Sequence, residues 1–127
     1  MIGDSITSAM YQKALDGTWQ RQKAISNNIA NSETPGYKSV EVNFEDSLNS
    51  AMQTLQGNSS SAKSVNAIEN AKVSVNTRAS SSKLDQNNVD IESENIDMTK
   101  TQLQYYYLVQ GISSSYSRLK YAISGGK

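Results

Sequence analysis

Between residues 89 and 127 apolar side chains return every seven positions, and no other feature of the chain restricts its fold as tightly. Ile91, Met98, Tyr105, Ile112 and Leu119 form one line, and Val109, Tyr116 and Ile123 supply the companion position of the same seam. A seven-residue repeat sustained this far keeps one stripe facing a partner helix, which is a coiled-coil register. A second line, Val89, Ile96 and Leu103, lies more than a quarter turn away, and Tyr105, Tyr106 and Tyr107 point in three directions around the axis. One partner helix covers only part of that surface. Asn87 or Asn88 stands where a cap is expected, Asp90, Glu92, Glu94 and Asp97 fill the first turns, and Arg118, Lys120 and Lys127 lie at the far end. Both charge biases complement the helix dipole.

A partner helix is available at the other end of the chain. From Ile2 to about Asn31 there is no proline. At about 100° per residue Tyr11, Ala14, Leu15, Trp19, Ile25 and Ile29 share a broad face, interrupted by Thr18 and Gln22. Ile2, Ile6 and Met10 form a separate stripe. The helix must stop near Thr34, because Pro35, the single proline, pushes the residue before it out of the α region. Pro35-Gly36 then supplies the central pair of a type II turn. Asn27, Asn28 and Asn31 suit a helix terminus, where their amides reach exposed backbone groups. Tyr37 is placed to pack its ring beside the helices with its hydroxyl in water. From Tyr37 to Phe44 apolar and polar residues alternate, predicting a short strand with Val40, Val42 and Phe44 on one face.

Between Gly57 and Asn88 the chain is rich in Ser and Asn, with runs at Ser59 to Ser61 and Ser80 to Ser82. Its scattered apolar residues offer little to offset backbone ordering, so a flexible insertion is predicted for the free chain. Only Lys72 to Asn76 alternates in a way that suits pairing with the Val40 to Phe44 strand. The predicted fold is therefore mainly α, an elongated coiled-coil hairpin of N- and C-terminal helices with a short β or irregular middle segment. Its parts are the N-terminal helix (residues 1–33), the turn and extended segment (34–56), the Ser/Asn-rich middle (57–88) and the C-terminal helix (89–127). Tyr11, Leu15, Ile25 and Ile29 are predicted to oppose the C-terminal seam, and the surplus stripes to meet neighbouring copies.

Composition narrows the function. Only 36% of the 127 residues are hydrophobic and mean hydropathy is -0.59, thin for a large buried core. Twelve basic and twelve acidic residues leave no broad basic face for nucleic acid. With neither His nor Cys, a zinc site of ordinary ligands, a thiol nucleophile and a His-based acid/base pair are excluded, and no cofactor is expected. A paired-carboxylate site at Glu92 and Asp97 is the remaining enzymatic reading, and dipole compensation explains those acids better. No run approaches the roughly 18 apolar residues of a membrane span. The opening residues Met1 to Ser5 show neither the positive region nor the apolar core of a secretory signal, so ordinary routes predict a cytoplasmic protein.

Ser26 to Lys38 reads SNNIANSETPGYK. This string resembles the N-terminal signature of the bacterial flagellar rod and hook family, through Asn27, Asn28, Ala30, Asn31, Thr34, Pro35, Gly36 and Tyr37. Asn87 to Glu92, NNVDIE, and the ending Leu119 to Ile123 resemble the start and end of that family's terminal helix. The resemblance covers roughly residues 1–50 and 88–127, and with the short length it is most similar to the family's proximal rod subunits. It implies a non-enzymatic structural subunit of the flagellar basal body, self-associating and joining other rod subunits and the membrane-ring or adaptor proteins at the rod base. It also implies a periplasmic destination, reached unfolded through the flagellar type III export apparatus without a cleaved signal peptide, and isolated termini that are partly unfolded. Phe44 and Leu48 are similar to the Phe-x-x-x-apolar element that early substrates present to that apparatus; the plain alternative is packing on the coiled coil. A competing reading is a soluble helical-hairpin adaptor or export chaperone holding a client's amphipathic segment in the spare seam.

Overall fold

A computed structural model of the chain describes residues 2–55, 61–79 and 84–125. The described elements are α1 (Ile2–Ala30), β1 (Val40–Asn43), α2 (Glu45–Leu55), α3 (Ser61–Glu69), β2 (Ser74–Thr77) and α4 (Ile91–Ile123). The two long helices pack together as the predicted hairpin requires, though along a line of α4 other than the heptad seam. They run antiparallel, since Asn28 meets Glu94, Arg21 meets Gln104 and Tyr11 lies on Gly111. The 33 residues of α4 make a rod of about 50 Å at about 1.5 Å per residue.

The strand alternation also holds. β1 and β2 form an antiparallel pair with Val40 opposite Thr77 and Val42 opposite Val75, the pairing that the Lys72 to Asn76 alternation suggested. The turn leading into β1 is as predicted too: Gly36 takes φ +74°, and the Tyr37 N–H donates to the Thr34 carbonyl at 3.2 Å.

The apolar core lies on the side of α1 away from α4. Ala24, Val42, Phe44, Leu48, Ala51 and Ile68 form one buried cluster, with Ile6, Met10, Ala14 and Val73 packed around it. The separate Ile6 and Met10 stripe therefore faces the middle segment. Phe44 and Leu48 sit one helical turn apart, and the Phe44 ring lies against Gly17, where any Cβ would fall inside it. The Arg21 guanidinium sits 4.7 Å from the centre of the same ring, a cation–π contact.

Several expectations change. No element was read between Phe44 and Gly57, yet α2 forms there, opened by Glu45 and Asp46 and burying Leu48 and Ala51. The middle was read as a flexible insertion, but α3 and β2 occupy much of it, and Ile68 is 0% exposed. One well-placed isoleucine anchors a short helix that composition argues against. Of the serine runs, Ser59, Ser60 and Ser80 to Ser82 lie outside the described residues, as does Lys127. Trp19 was placed on the packing face and is instead 58% exposed, stacked with Lys23. Thr18 takes the buried place beside it, because its hydroxyl is satisfied by the Leu15 carbonyl at 2.9 Å. The cap of α4 is Asp90 rather than Asn87 or Asn88; its carboxylate accepts from the Glu92 and Ser93 N–H groups.

Candidate functional site

The end of α1, the turn after it, β1 and the start of α4 are joined by side-chain amides. Asn28 is 0% exposed and uses its whole carboxamide. Oδ1 accepts from the Val40 N–H at 2.8 Å and the Tyr37 hydroxyl at 3.0 Å. Nδ2 donates to the Val40 carbonyl at 2.9 Å and to Glu94 Oε2 at 3.1 Å. Toward Val40 the amide therefore offers the donor and acceptor that a neighbouring strand would, closing the edge of β1 that β2 does not cover. Arg21 does the same for the Val42 carbonyl, donating from Nη2 at 2.8 Å while its fork grips Glu45.

Asn87 ties the two ends from the other side. Nδ2 donates to the Asn31 and Thr34 carbonyls, each at 2.8 Å, and Oδ1 accepts from the Val89 N–H at 2.8 Å. Asn88 links the strands, accepting from the Ser39 N–H at 2.6 Å and donating to the Arg78 carbonyl at 2.8 Å. The Gly36 N–H donates to the Asp85 carbonyl at 2.7 Å, and the Lys38 ammonium reaches the Gln86 carbonyl. Asn31 behaves as predicted for a helix end, bonding the Asn27 carbonyl and accepting from the Thr34 hydroxyl. The segments SNNIANSETPGYK and NNVDIE are thus two halves of one polar knot.

Burial sets the electrostatics of the knot. Glu94, read from the sequence only as one of the acids that complement the helix dipole, is 1% exposed. Desolvation pushes its carboxyl above the ordinary value, against the Asn28 amide and the Arg78 guanidinium, which favour the ion. Arg78 Nη1 stands 3.5 Å from Glu94 Oε1, and Oε1 has no hydrogen-bond donor. A cleft of about 200 Å³ opens beside it between α1, β1 and α4. The Tyr37 hydroxyl, expected in water, is spent on Asn28; burial and then the Glu94 charge raise its pKa, so it remains a donor. Glu45, held by Arg21, is lowered to about 2. Neither Glu94 nor Arg78 was singled out as a site residue, although Glu94 stands one heptad before Thr101 and two before Leu108.

That line, not the most apolar one, meets α1. Glu94 and Thr101 are the buried residues of α4, with Leu108 and Gly111 half-buried in step. Of the predicted seam, Ile25 is buried, and Tyr11, Leu15, Ile29, Met98, Ile112 and Leu119 are half-buried. Ile91, Tyr105, Val109, Tyr116 and Ile123 are exposed, so their aromatics are not core of the hairpin. Small and polar residues bring the helices close, as where Tyr11 fills the space above Gly111, and this turns the bulky heptad positions to the flank. Ile96, Leu103, Tyr107 and Tyr121 are exposed on the outward side.

Among the described residues no three His, Cys, Asp or Glu side chains gather as a metal site, and no helix is long and apolar enough to cross a membrane. The chemistry available is hydrogen bonding that locks helix ends together, beside an uncovered apolar helix. Residues 12–38, which carry the first half of the knot, match the family described as flagella basal body rod protein. The chain is 30% identical over 118 residues to the flagellar basal body rod protein FlgB of Bacillus subtilis, covering 91% of this chain and 92% of that protein. It is 29% identical over 122 residues to the FlgB of Buchnera aphidicola, with 91% and 92% covered. To the FlgB of Borreliella burgdorferi it is 33% identical over 105 residues, with 74% and 78% covered. Both halves of the knot fall within alignments of this extent, and the chain belongs to the flagellar basal body rod protein FlgB family.

Proposed function

We propose that this protein is a structural subunit of the proximal rod of the flagellar basal body, assembling with copies of itself and other rod subunits into the axial shaft that transmits torque. The observation that carries the reading is the apolar surface of α4: Ile96, Leu103, Tyr107 and Tyr121 on its outward side, with Val109, Tyr116 and Ile123 on a flank. A single chain leaves both stripes in water, and a helical array of copies covers them through heterologous contacts. The seam residues from Ile91 to Ile123 act in this reading between subunits as well as within the hairpin. Membrane-ring or adaptor proteins at the rod base and the type III export apparatus are the further partners, and the periplasm is the destination. Phe44 and Leu48 are 2% and 9% exposed in the core, so their packing accounts for them in the folded chain, and an export role belongs to the chain before it folds. Family membership favours this reading over a soluble adaptor or export chaperone.

The test is to delete the gene in its source bacterium, image isolated envelopes by electron microscopy and score motility. Rods and hooks are expected to vanish, and the intact gene to restore them. Leu103→Glu, which alters only the outward stripe, and Ile112→Asp, which places a charge at the half-buried seam, are each expected to fail to restore them. Complete basal bodies in the deletion strain would sink the rod reading.

A further inference from the structure

The contact between α1 and α4 has a degenerate part and a specific part. The half-buried positions Met98, Ile112 and Leu119 lie on a seven-residue repeat, so sliding α4 by one heptad, about 10 Å along the axis, presents α1 with similar side chains at those positions, while moving Gly111 from under Tyr11. The buried hydroxyls do not resist such a slide, because Thr18 donates to Leu15 and Thr101 to Asp97, each within its own helix. The Asn87 bonds to the Asn31 and Thr34 carbonyls oppose it, through the connecting segment rather than across the face between the helices. Among the described residues, side-chain bonds between the two helices run from Asn28 to Glu94 at 3.1 Å and, as a long contact, from Arg21 to Gln104 at 3.4 Å. A one-heptad slide would separate Asn28 from Glu94, which is 1% exposed in the observed alignment.

We propose that Asn28 and Glu94 are the register-determining pair of this hairpin: their buried bond selects one alignment of α4 on α1 out of those the heptad repeat allows. A buried polar pair contributes little net stability compared with apolar packing, but it makes wrong registers unfavourable. The consequence for assembly, which rests on the rod reading, is that the exposed stripes of α4 reach neighbouring copies in a single position relative to α1. The register itself is a property of the lone chain and is measured there, so its failure and that of the rod reading are distinct results.

The experiment is distance measurement between two spin labels on the full chain. The sequence has no cysteine, so Gln12→Cys with Gln110→Cys, both at exposed sites facing the same stretch of the hairpin, accept label only there. The parent is expected to give one narrow distance. Asn28→Leu with Glu94→Leu, retaining helicity by circular dichroism, is expected to add a second population of comparable size from registers displaced by about 10 Å. A single unchanged distance in that folded variant overturns the proposal. Should that variant lose its helicity, Glu94→Thr with Thr101→Glu decides, because it moves the carboxylate one heptad while Asn28 keeps Val40 and Tyr37. The distance is expected to lengthen as α4 slides by about 10 Å to bring the carboxylate back to Asn28. An unchanged distance there overturns the pair's role and leaves the Asn87 tether as what holds the alignment.

Discussion

The two sides of α1 are built by different chemistry. Toward α2, α3 and β1 it contributes to a continuous apolar cluster in which Ile68, Phe44 and Val42 are almost wholly excluded from water. Toward α4 it meets a helix whose buried residues, Glu94 and Thr101, are both polar and whose large apolar residues are mostly exposed. The first side is closed by burial within one chain, and the second is aligned by hydrogen bonds and left with surface to share. Stability is therefore unevenly distributed, with the middle segment acting as the anchor and α4 as the part that gains most from neighbours.

The sharpest way to break this comparison is to open the apolar side. Phe44→Ala removes the ring that Gly17 and Arg21 enclose; a buried aromatic truncated to alanine is expected to cost about 3–5 kcal/mol. Leu108→Ala, on the half-buried α4 side, should cost about 2 kcal/mol or less. Denaturant unfolding followed by circular dichroism measures both. Equal losses would mean that the two sides are equally self-sufficient.

Next in size is the knot. Asn28→Ala leaves the Val40 N–H and carbonyl, the Tyr37 hydroxyl and Glu94 without their common partner, for an expected loss of about 2–3 kcal/mol. Asn31→Ala removes only local bonds at the helix end, and about 0.5–1 kcal/mol is expected. If the two variants unfold at the same denaturant concentration, the second asparagine of the motif has no special place.

That difference also marks where the sequence stops being legible. Apolar spacing at about 100° per residue and the heptad repeat gave the two long helices, Pro35 the stop, and alternation both strands, because each is a local rule of backbone geometry. The motif residues were picked out, and their resemblance to a family was correct, but nothing in the spacing showed that Asn28 would reach Val40 and Glu94 or that Asn87 would reach Asn31 and Thr34. The burial of Glu94 went unseen because an acid in the first turn of a helix has a sufficient local explanation, and only the approach of β1 and α1 buries it. Trp19 and the exposed tyrosines went astray for a related reason. An amphipathic pattern identifies an apolar face without saying whether its partner lies in the same chain. The α2 and α3 helices were missed because a single buried Ile68 or Leu48 outweighs the composition around it.

Acidity separates the two carboxylates of the comparison. Glu45 is lowered from 4.5 to about 2, so it adds stability above 4.5 that is lost as pH falls toward about 2. Being nearly half exposed, that pair is worth about 1 kcal/mol or less after screening. Glu94 is raised, so the folded chain binds its proton more tightly than the unfolded chain does. Its contribution is most favourable below the ordinary carboxylate value and declines as pH rises through the raised one. Glu45→Gln should therefore flatten the acid limb of a stability profile, and Glu94→Gln the decline on its alkaline side. Profiles in which neither variant differs in slope from the parent would show that burial at the knot is not felt by the carboxylate.

The smallest expected effect tests the claim that α4 carries surface its own fold does not need. Leu103→Ser and Tyr121→Ser change residues that are 53% and 66% exposed on the outward side. Substitutions at such sites typically shift stability by about 0.5 kcal/mol or less, so unfolding of the isolated chain should scarcely move. The same serines remove apolar area that neighbouring copies would bury, and complementation of the deletion strain should fall well below that of the parent. The two readouts must separate for the comparison to stand. A loss of stability as large as that of Leu108→Ala would place these side chains inside the fold, and full complementation would leave the outward stripe without a partner.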